Sequence, residues 1–212
     1  MSSERVEFWE NFYQDVDRDW GTRPNVVLVD LLDELQLPAG TAMDLGSGHG
    51  GDAVWLASNG WRVSAVDVST TALARVAAAA ERAGVSDRVT TTQSDLESEV
   101  PSGTFDLVYA AYFHSPVETS RFDALRRAAQ NVAPGGILAL IDHGSGPSWS
   151  QHDHDHYQFL TPDETIAGLA LGDGWDVVKV GASDRIMTGP EGQTGTVIDN
   201  VIVVRRSAAS AD

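Results

Sequence analysis

Cysteine is absent from this 212-residue sequence, which excludes disulfides, thiolate metal centres and thiol nucleophiles. Positive charge is scarce: 14 Lys and Arg oppose 31 Asp and Glu, for a formal net charge of −17. So acidic a chain lacks the electrostatic footprint that nucleic acid requires, and no nucleic-acid partner is expected. Only Arg121, Arg126 and Arg127 cluster, opposite Phe122, Leu125, Ala129 and Val132 on one helical stretch, which predicts a solvated face. No run approaches the roughly 20 apolar residues of a membrane span. Met-Ser-Ser-Glu-Arg at the start carries no apolar signal segment, so no membrane partner and a cytoplasmic location are expected. A Gly-x-Ser-x-Gly nucleophile elbow is missing too, and no internal repeat is visible.

What remains is an ordinary globular composition, 42% apolar, at a length suited to one α/β domain with a single core. Ser3 can cap a helix running to about Asp15, with Val6, Trp9, Tyr13 and Val16 on one stripe and Phe8 and Phe12 on another. Pro24 suits the first turn of a second helix that turns Leu28, Leu31, Leu32 and Leu35 to the core. From Thr41 to Asp142 strand and helix patterns alternate, the signature of a mostly parallel sheet. Ser69 reads as the N-cap of a helix through Ala83 that Gly84 stops. Thr161-Pro162-Asp163-Glu164 reads as a capping box with proline in the first turn. Trp175–Met187 and Thr196–Arg206 read as two strands joined by a Gly/Pro turn, and 207–212 as a disordered tail.

The most informative stretch is Met43-Asp44-Leu45-Gly46-Ser47-Gly48-His49-Gly50-Gly51. It follows a short apolar strand pattern and precedes a helical one, with Ala53, Leu56, Ala57 and Gly60 spaced i, i+3, i+4, i+7. A strand, a glycine-rich turn and a helix together present backbone N–H groups to a nucleotide-like ligand. A second strand ends at Asp67, 21 residues after Gly46, where a carboxylate reaches ribose hydroxyls over such a turn. Gly46-x-Gly48-x-x-Gly51 also satisfies the dinucleotide pattern, so an NAD(P)-dependent oxidoreductase is one reading. Asp44 points the other way: its charge opposes a pyrophosphate and suits a cationic amino-acid ligand.

Asp44-x-Gly46-x-Gly48-x-Gly50 resembles motif I of the class I S-adenosylmethionine-dependent methyltransferases. Asp67 in Ala-Val-Asp-Val-Ser resembles the family's ribose-binding acid, and Ser94-Asp95-Leu96 its adenine-contacting acidic motif. Phe105 to Ala111 is similar to the fourth strand, and Pro134-Gly135-Gly136-Ile137-Leu138 to the turn that opens the fifth. Trp55 to Val63, with Arg23-Pro24-Asn25 upstream, is most similar to the small bacterial tellurite-resistance-like and thiopurine-like branch. The resemblance implies a Rossmann-like, doubly wound, mostly parallel seven-stranded sheet with helices on both faces and an antiparallel C-terminal strand. It implies one methyltransferase domain over 1–206, with 1–37 as a helical lid or cap and 145–160 as a substrate-side insertion. The implied cofactor is S-adenosyl-L-methionine, leaving as S-adenosyl-L-homocysteine. Its binding would fall to Asp44, Gly46, Ser47, Gly48 and Gly50 at the turn, Asp67 and Val68 at the ribose, Ser94, Asp95 and Leu96 at the adenine, and Ala111 at the methionine end. The implied reaction is in-line methyl transfer to an O, N, S or metalloid atom of a small molecule.

All six histidines fall at or beyond the carboxyl ends of strand patterns one, four and five, the edge where open parallel sheets bind ligands. His114 and then His143 are the candidates for contacting substrate or taking its proton near neutral pH. His152, His154 and His156 alternate with aspartates in a loop that could hold zinc, iron or manganese. The favoured reading of that loop is a substrate cover walled by Trp149, Tyr157 and Phe159, because methyl transfer needs no metal. Trp20 is the best lid residue, and Arg23 is a candidate to pair either with the cofactor carboxylate or with one of the many surface acids. A non-catalytic S-adenosylmethionine sensor or partner module is the remaining alternative, beside a metal-dependent enzyme built on the histidine loop. The oligomeric state is not legible.

Overall fold

The computed structural model of the chain describes residues 4–16, 21–115, 120–146, 159–188 and 192–208. Helices α1 (Glu4–Asp15) and α2 (Val26–Leu35) precede β1 (Thr41–Leu45), α3 (Gly51–Ser58), β2 (Arg62–Asp67), α4 (Thr70–Arg82) and β3 (Val89–Gln93). Then come β4 (Phe105–Ala111), α5 (Arg121–Ala129), β5 (Val132–His143), α6 (Pro162–Leu169), β6 (Trp175–Thr188) and β7 (Thr194–Arg206). The strands form one sheet in the order β3-β2-β1-β4-β5-β7-β6. The first five pair in parallel, and β7 runs antiparallel to both β5 and β6. This is the Rossmann-like, mostly parallel seven-stranded sheet that the sequence implies. Its order reverses between β1 and β4, so the crevice at their carboxyl ends is the natural ligand position.

Successive residues of a strand face opposite sides of the sheet, and the core divides accordingly. Ala42, Leu107 and Ile137 meet Leu28, Leu31, Leu56 and Val76 of α2, α3 and α4 on one side. Met43, Val108 and Leu138 meet Leu125, Ala128 and Leu169 of α5 and α6 on the other. Each of the fully buried leucines Leu28, Leu56, Leu107 and Leu125 stabilises the fold by roughly 1.5–3 kcal/mol relative to an exposed one.

Helix ends follow the sequence closely, with one displacement. Ser69 caps α4 by accepting from the Ala72 N–H, and Thr161 and Glu164 form the reciprocal capping box of α6. Pro24, in contrast, lies ahead of α2, because the Asn25 side chain accepts from the Val27 N–H and is itself the N-cap. The segment 1–37 also divides: Leu28, Leu31 and Leu32 bury α2 in the core, while α1 crosses the start of α4. Glu10 of α1 accepts from the Ser69 hydroxyl at 2.7 Å, the Thr71 hydroxyl at 2.5 Å and the Thr71 N–H at 3.3 Å. A carboxylate at a helix N-terminus is favoured by the unsatisfied N–H groups there.

The solvated arginine face expected on α5 is not found. Arg121 donates to the Phe113 carbonyl at 2.9 Å, Arg126 to the Gly168 carbonyl at 2.6 Å, and Arg127 to the Leu96 and Glu97 carbonyls. Helical periodicity fixes where a side chain leaves the backbone, and a guanidinium reaches well beyond that point, to carbonyls of other segments. At the far end, β7 pairs with β5 only from Asp199 to Arg205, whereas Thr194–Ile198 pair with β6 alone. The Ser207 N–H donates to the Gly174 carbonyl at 2.9 Å, so order continues past β7; residues 209–212 lie outside the described residues.

Ser69 is fully buried and serves two partners, the Ala72 N–H as acceptor and Glu10 as donor. We expect Ser69→Ala to lower stability by about 1–3 kcal/mol, through loss of the cap and of a hydrogen bond to a charged group. Urea unfolding measures it, and an unchanged midpoint would mean that the cap contributes nothing.

Candidate active site

The site starts with the turn after β1. The Gly46 and Ser47 N–H groups both donate to the Val66 carbonyl, at 2.8 and 3.0 Å, which folds the turn back onto β2. Gly48 has φ +50°, and a Cβ there would stand 2.9 Å from the Tyr13 hydroxyl. A Cβ at Gly51 would stand 2.4 Å from the Arg23 carbonyl oxygen, so residues 21–23 lie directly on the start of α3. Asp67, at the end of β2, accepts the Gly48 N–H and the Ser69 N–H, each at 2.9 Å. Burial raises its pKa, and these donors pull it back only in part. A carboxylate offers about four lone-pair positions, so Asp67 keeps acceptor capacity for a ligand.

A second wall comes from the chain beyond β3. The Ser94 N–H donates to the Asp67 carbonyl at 3.0 Å. Arg5 of α1 grips Asp95, with Nη2 2.8 Å from Oδ2 and 3.0 Å from Oδ1 and Nε 3.2 Å from Oδ1. Its Nη1 lies 3.1 Å from Glu97 Oε2. Burial alone would raise the Asp95 pKa, but the Arg5 hydrogen bonds and charge hold it below the usual value.

The third wall is the loop after β4. Tyr112 adopts φ +54°, a left-handed conformation uncommon for a bulky residue and characteristic of functional turns. Its ring stacks on His143 at 3.9 Å, and its hydroxyl donates to Asp199 at 3.0 Å, which Arg185 also pairs at 2.6 Å. Phe113 lies over the turn, 3.0 Å from where a Gly46 Cβ would be. His114 Nε2 is 3.5 Å from Asp142 Oδ1, the oxygen that also takes the Arg121 guanidinium at 2.5 Å. Burial, then the Arg121 and His143 charges, depress the His114 pKa to about 3, so this imidazole is neutral across the physiological range.

One cavity joins these walls. Arg5, Trp9 and Tyr13 of α1 roof it, Gly46, Asp67 and Val68 form its floor, and Ser94, Asp95, Leu96 and Glu97 close one end. Tyr112, Phe113, His114, Ser115 and Arg121 close the other. Of the residues expected from sequence, it brings together Gly46, Asp67, Val68, Ser94, Asp95, Leu96 and His114. Ser47, Gly48, Gly50, Ala111 and His143 do not line it, and Arg23 is exposed beside α3. Trp20, His152, His154 and His156 lie outside the described residues. Among the described residues no group of three or more His, Asp or Glu is arranged to hold a metal ion.

Asp44 is nearly inaccessible, beneath the turn. Burial and then the charge of Asp52 push its pKa well up, with the Tyr109 hydroxyl opposing. Asp52, in the first turn of α3, accepts the Asn25 N–H at 2.5 Å, and burial pushes it up to about 6. Sequence reasoning missed Asp52, Arg5, Glu10, Arg121 and Asp142 as parts of the site. Asp52 alone had a local signal, an acid one residue past the glycine turn; the others act through partners remote in sequence.

Residues 42–136 match the family described as a methyltransferase domain. The chain is 35% identical over 119 residues to the 27-O-demethylrifamycin SV methyltransferase of Amycolatopsis mediterranei, covering 54% of this chain and 43% of that protein. It is 31% identical over 125 residues to the ribosomal RNA small subunit methyltransferase C of Alcanivorax borkumensis, covering 56% of this chain and 38% of that protein. The chain thus spans about two fifths of the length of these curated relatives. Its fold is shared with a SAM-dependent methyltransferase from Thiobacillus denitrificans solved in complex with S-adenosyl-L-homocysteine, at a TM-score of 0.66 and 19% identity over 97% of this chain and 100% of that one. No described helix is long and apolar enough to cross a membrane.

The buried acids have a consequence for stability. Asp52 titrates at about 6 in the fold against an ordinary 3.8, so the fold holds its proton more tightly than the unfolded chain does. The resulting penalty is absent below pH 3.8, grows as pH rises towards 6 and is complete above it, at most about 3 kcal/mol. We expect Asp52→Asn, which keeps an oxygen for the Asn25 N–H, to exceed the wild type in stability at pH 8 by about 1–3 kcal/mol. The gap closes at pH 4 and below. Urea titrations at both pH values check this, and a gap independent of pH contradicts it.

Proposed function

We propose, from the premise that this chain belongs to the class I S-adenosylmethionine-dependent methyltransferase superfamily, that it is an enzyme methylating an O, N, S or metalloid atom of a small molecule by in-line displacement. The observation that carries the reading is the roofed cavity in which the glycine turn, Asp67 and the Ser94–Leu96 wall converge. The residues fit the cofactor. Asp44 Oδ2 and Ser47 Oγ are buried without a hydrogen-bond partner among the described residues, and Asp67 retains lone pairs. Asp44, whose pKa burial raises, would be drawn into its charged form by a ligand carrying ammonium and sulfonium groups, whereas a pyrophosphate would keep it neutral and gain nothing from it. The nicotinamide alternative loses its ground on that account and on the methyltransferase-domain match.

When bound, S-adenosylmethionine supplies a methyl group already activated by its sulfonium charge. Asp67 and Val68 would hold the ribose, the Ser94–Leu96 wall the adenine, and the turn with Asp44 the methionine end. Trp9 and Tyr13 on α1 exclude water, and the fixed walls orient the acceptor, which is the main contribution an enzyme makes to such a transfer. His114 faces the acceptor end of the cavity as a neutral imidazole. It offers a hydrogen-bond acceptor to an O–H or N–H there, yet with so low a pKa it is a weak base. Two features support a small acceptor: the roof formed by α1 and the net charge of −17, which disfavours a ribosomal RNA substrate of the kind named for one relative. A non-catalytic sensor would keep the cofactor end and show no turnover with any acceptor.

Calorimetric titration with S-adenosylhomocysteine tests the reading, with NADH and NADP as parallel ligands. We expect micromolar binding of the first, none of the other two, and weakening by at least about 30-fold in Asp67→Ala, which loses a charged hydrogen-bond partner. Nicotinamide binding in place of S-adenosylhomocysteine would reject it. Once an acceptor is found, its kcat/KM–pH profile should lack an inflection near 6.5 from a titrating histidine, because His114 stays neutral down to about 3.

A further inference from the structure

The Arg5–Asp95 pair decides how an adenine ring can be held, and the following rests on the reading above. Asp95 receives five contacts: Oδ1 from Arg5 Nε, Arg5 Nη2 and the Glu97 N–H, and Oδ2 from Arg5 Nη2 and the Ser98 hydroxyl. These contacts come from four donor groups, Arg5 Nη2 being shared by both oxygens, and four donors match the roughly four lone-pair positions of a carboxylate. The cavity is nevertheless open while this pair is formed, and Arg5 and Asp95 both line it. Moving Arg5 aside would break contacts to two acids, Asp95 and Glu97, on a helix that Glu10 separately fastens to α4. A ligand therefore enters with the pair intact.

The fork of hydrogen bonds also fixes the guanidinium plane, since two parallel N–H bonds lie in the plane of the carboxylate they meet. The edges of Arg5 are spent on Asp95 and Glu97, and its face is left for a ring. We propose that the adenine of the cofactor is gripped by stacking under the Arg5 guanidinium, and that Asp95 is a positioning residue for Arg5 and does not read the 6-amino group. Arg5 is thereby a cofactor-binding residue contributed by α1, and the purine edge at position 6 goes unread by Asp95.

S-inosylhomocysteine, in which a 6-oxo group replaces the 6-amino group, separates the two modes. A carboxylate that accepted from the amino group would reject this analogue by about 100-fold or more, because donor becomes acceptor and the two oxygens repel. A guanidinium face stacks on either ring. We expect wild-type protein, titrated calorimetrically, to bind S-inosylhomocysteine within about tenfold of S-adenosylhomocysteine, a spread that unread edges allow. Arg5→Ala and Asp95→Asn should each weaken both ligands by a similar factor, and Arg5→Lys should not restore affinity because an ammonium lacks the planar face. A wild-type preference for the adenosyl ligand above about 100-fold that Asp95→Asn abolishes would overturn the assignment. The wild-type ratio needs no variant to fold. Failure of the wild type to bind S-adenosylhomocysteine at all would instead remove the methyltransferase reading and this inference with it.

Discussion

Asp67 accepts one N–H from the glycine turn and one from the first residues of α4, and the rest of the pocket is arranged around that bridge. It acts beside the Val66 carbonyl, which takes the Gly46 and Ser47 N–H groups, in tying the turn after β1 to the end of β2. With it, two elements that leave the sheet at neighbouring strand ends are held at fixed separation. Ser69, next but one in sequence, extends the bridge: it caps α4 and donates to Glu10. A chain of hydrogen bonds thus runs from the floor of the cavity to its roof. Burying the carboxylate is costly, as its raised pKa records, and a buried acid of this kind is characteristic of ligand sites.

The charge distribution follows a consistent plan. Acids lie beneath the turn, where Asp44, Asp52 and Tyr109 are buried against one another, and arginines close the two ends of the cavity, each paired with its own carboxylate. The ends are electrically compensated and rigid. At the β4 end the stack of Tyr112, His143 and His114 continues into Asp142 and Arg121, so that end of the cavity is organised by aromatic faces as much as by charge.

Much of this was legible in the sequence wherever a pattern is local. The strand and helix succession, the Ser69 and Thr161 caps, the glycine turn and Asp67 all depend on residues within a few positions or on one strand–turn–helix unit, and the mostly parallel sheet came with the family resemblance they carry. The roof was legible as an aromatic helix and a candidate lid, but its anchors were not. That Arg5 meets Asp95, 90 residues away, or that Glu10 meets Ser69, 59 residues away, leaves no periodic trace. Arg121 departs from expectation for a related reason: periodicity sets it opposite the apolar stripe of α5, and only the position of Asp142 shows where its guanidinium goes. The proline before α2 was displaced by one local competitor, Asn25, whose side chain caps better.

The central seam of the sheet has a consequence for how the molecule comes into being. β1 and β4 are neighbours, with Ala42 opposite Leu107, although the whole β2–α4–β3 excursion lies between them in the chain. Closing so long a loop carries its entropy cost before the pairing returns any stabilisation, so this contact is a late and slow one. The two sides of the crevice are thus built separately: the glycine turn and Asp67 arise in the first half of the chain, and Tyr112, His114 and Asp142 in the second. Until the seam zips shut there are two half-sites and no cavity, so ligand recognition is a property of the completed topology alone.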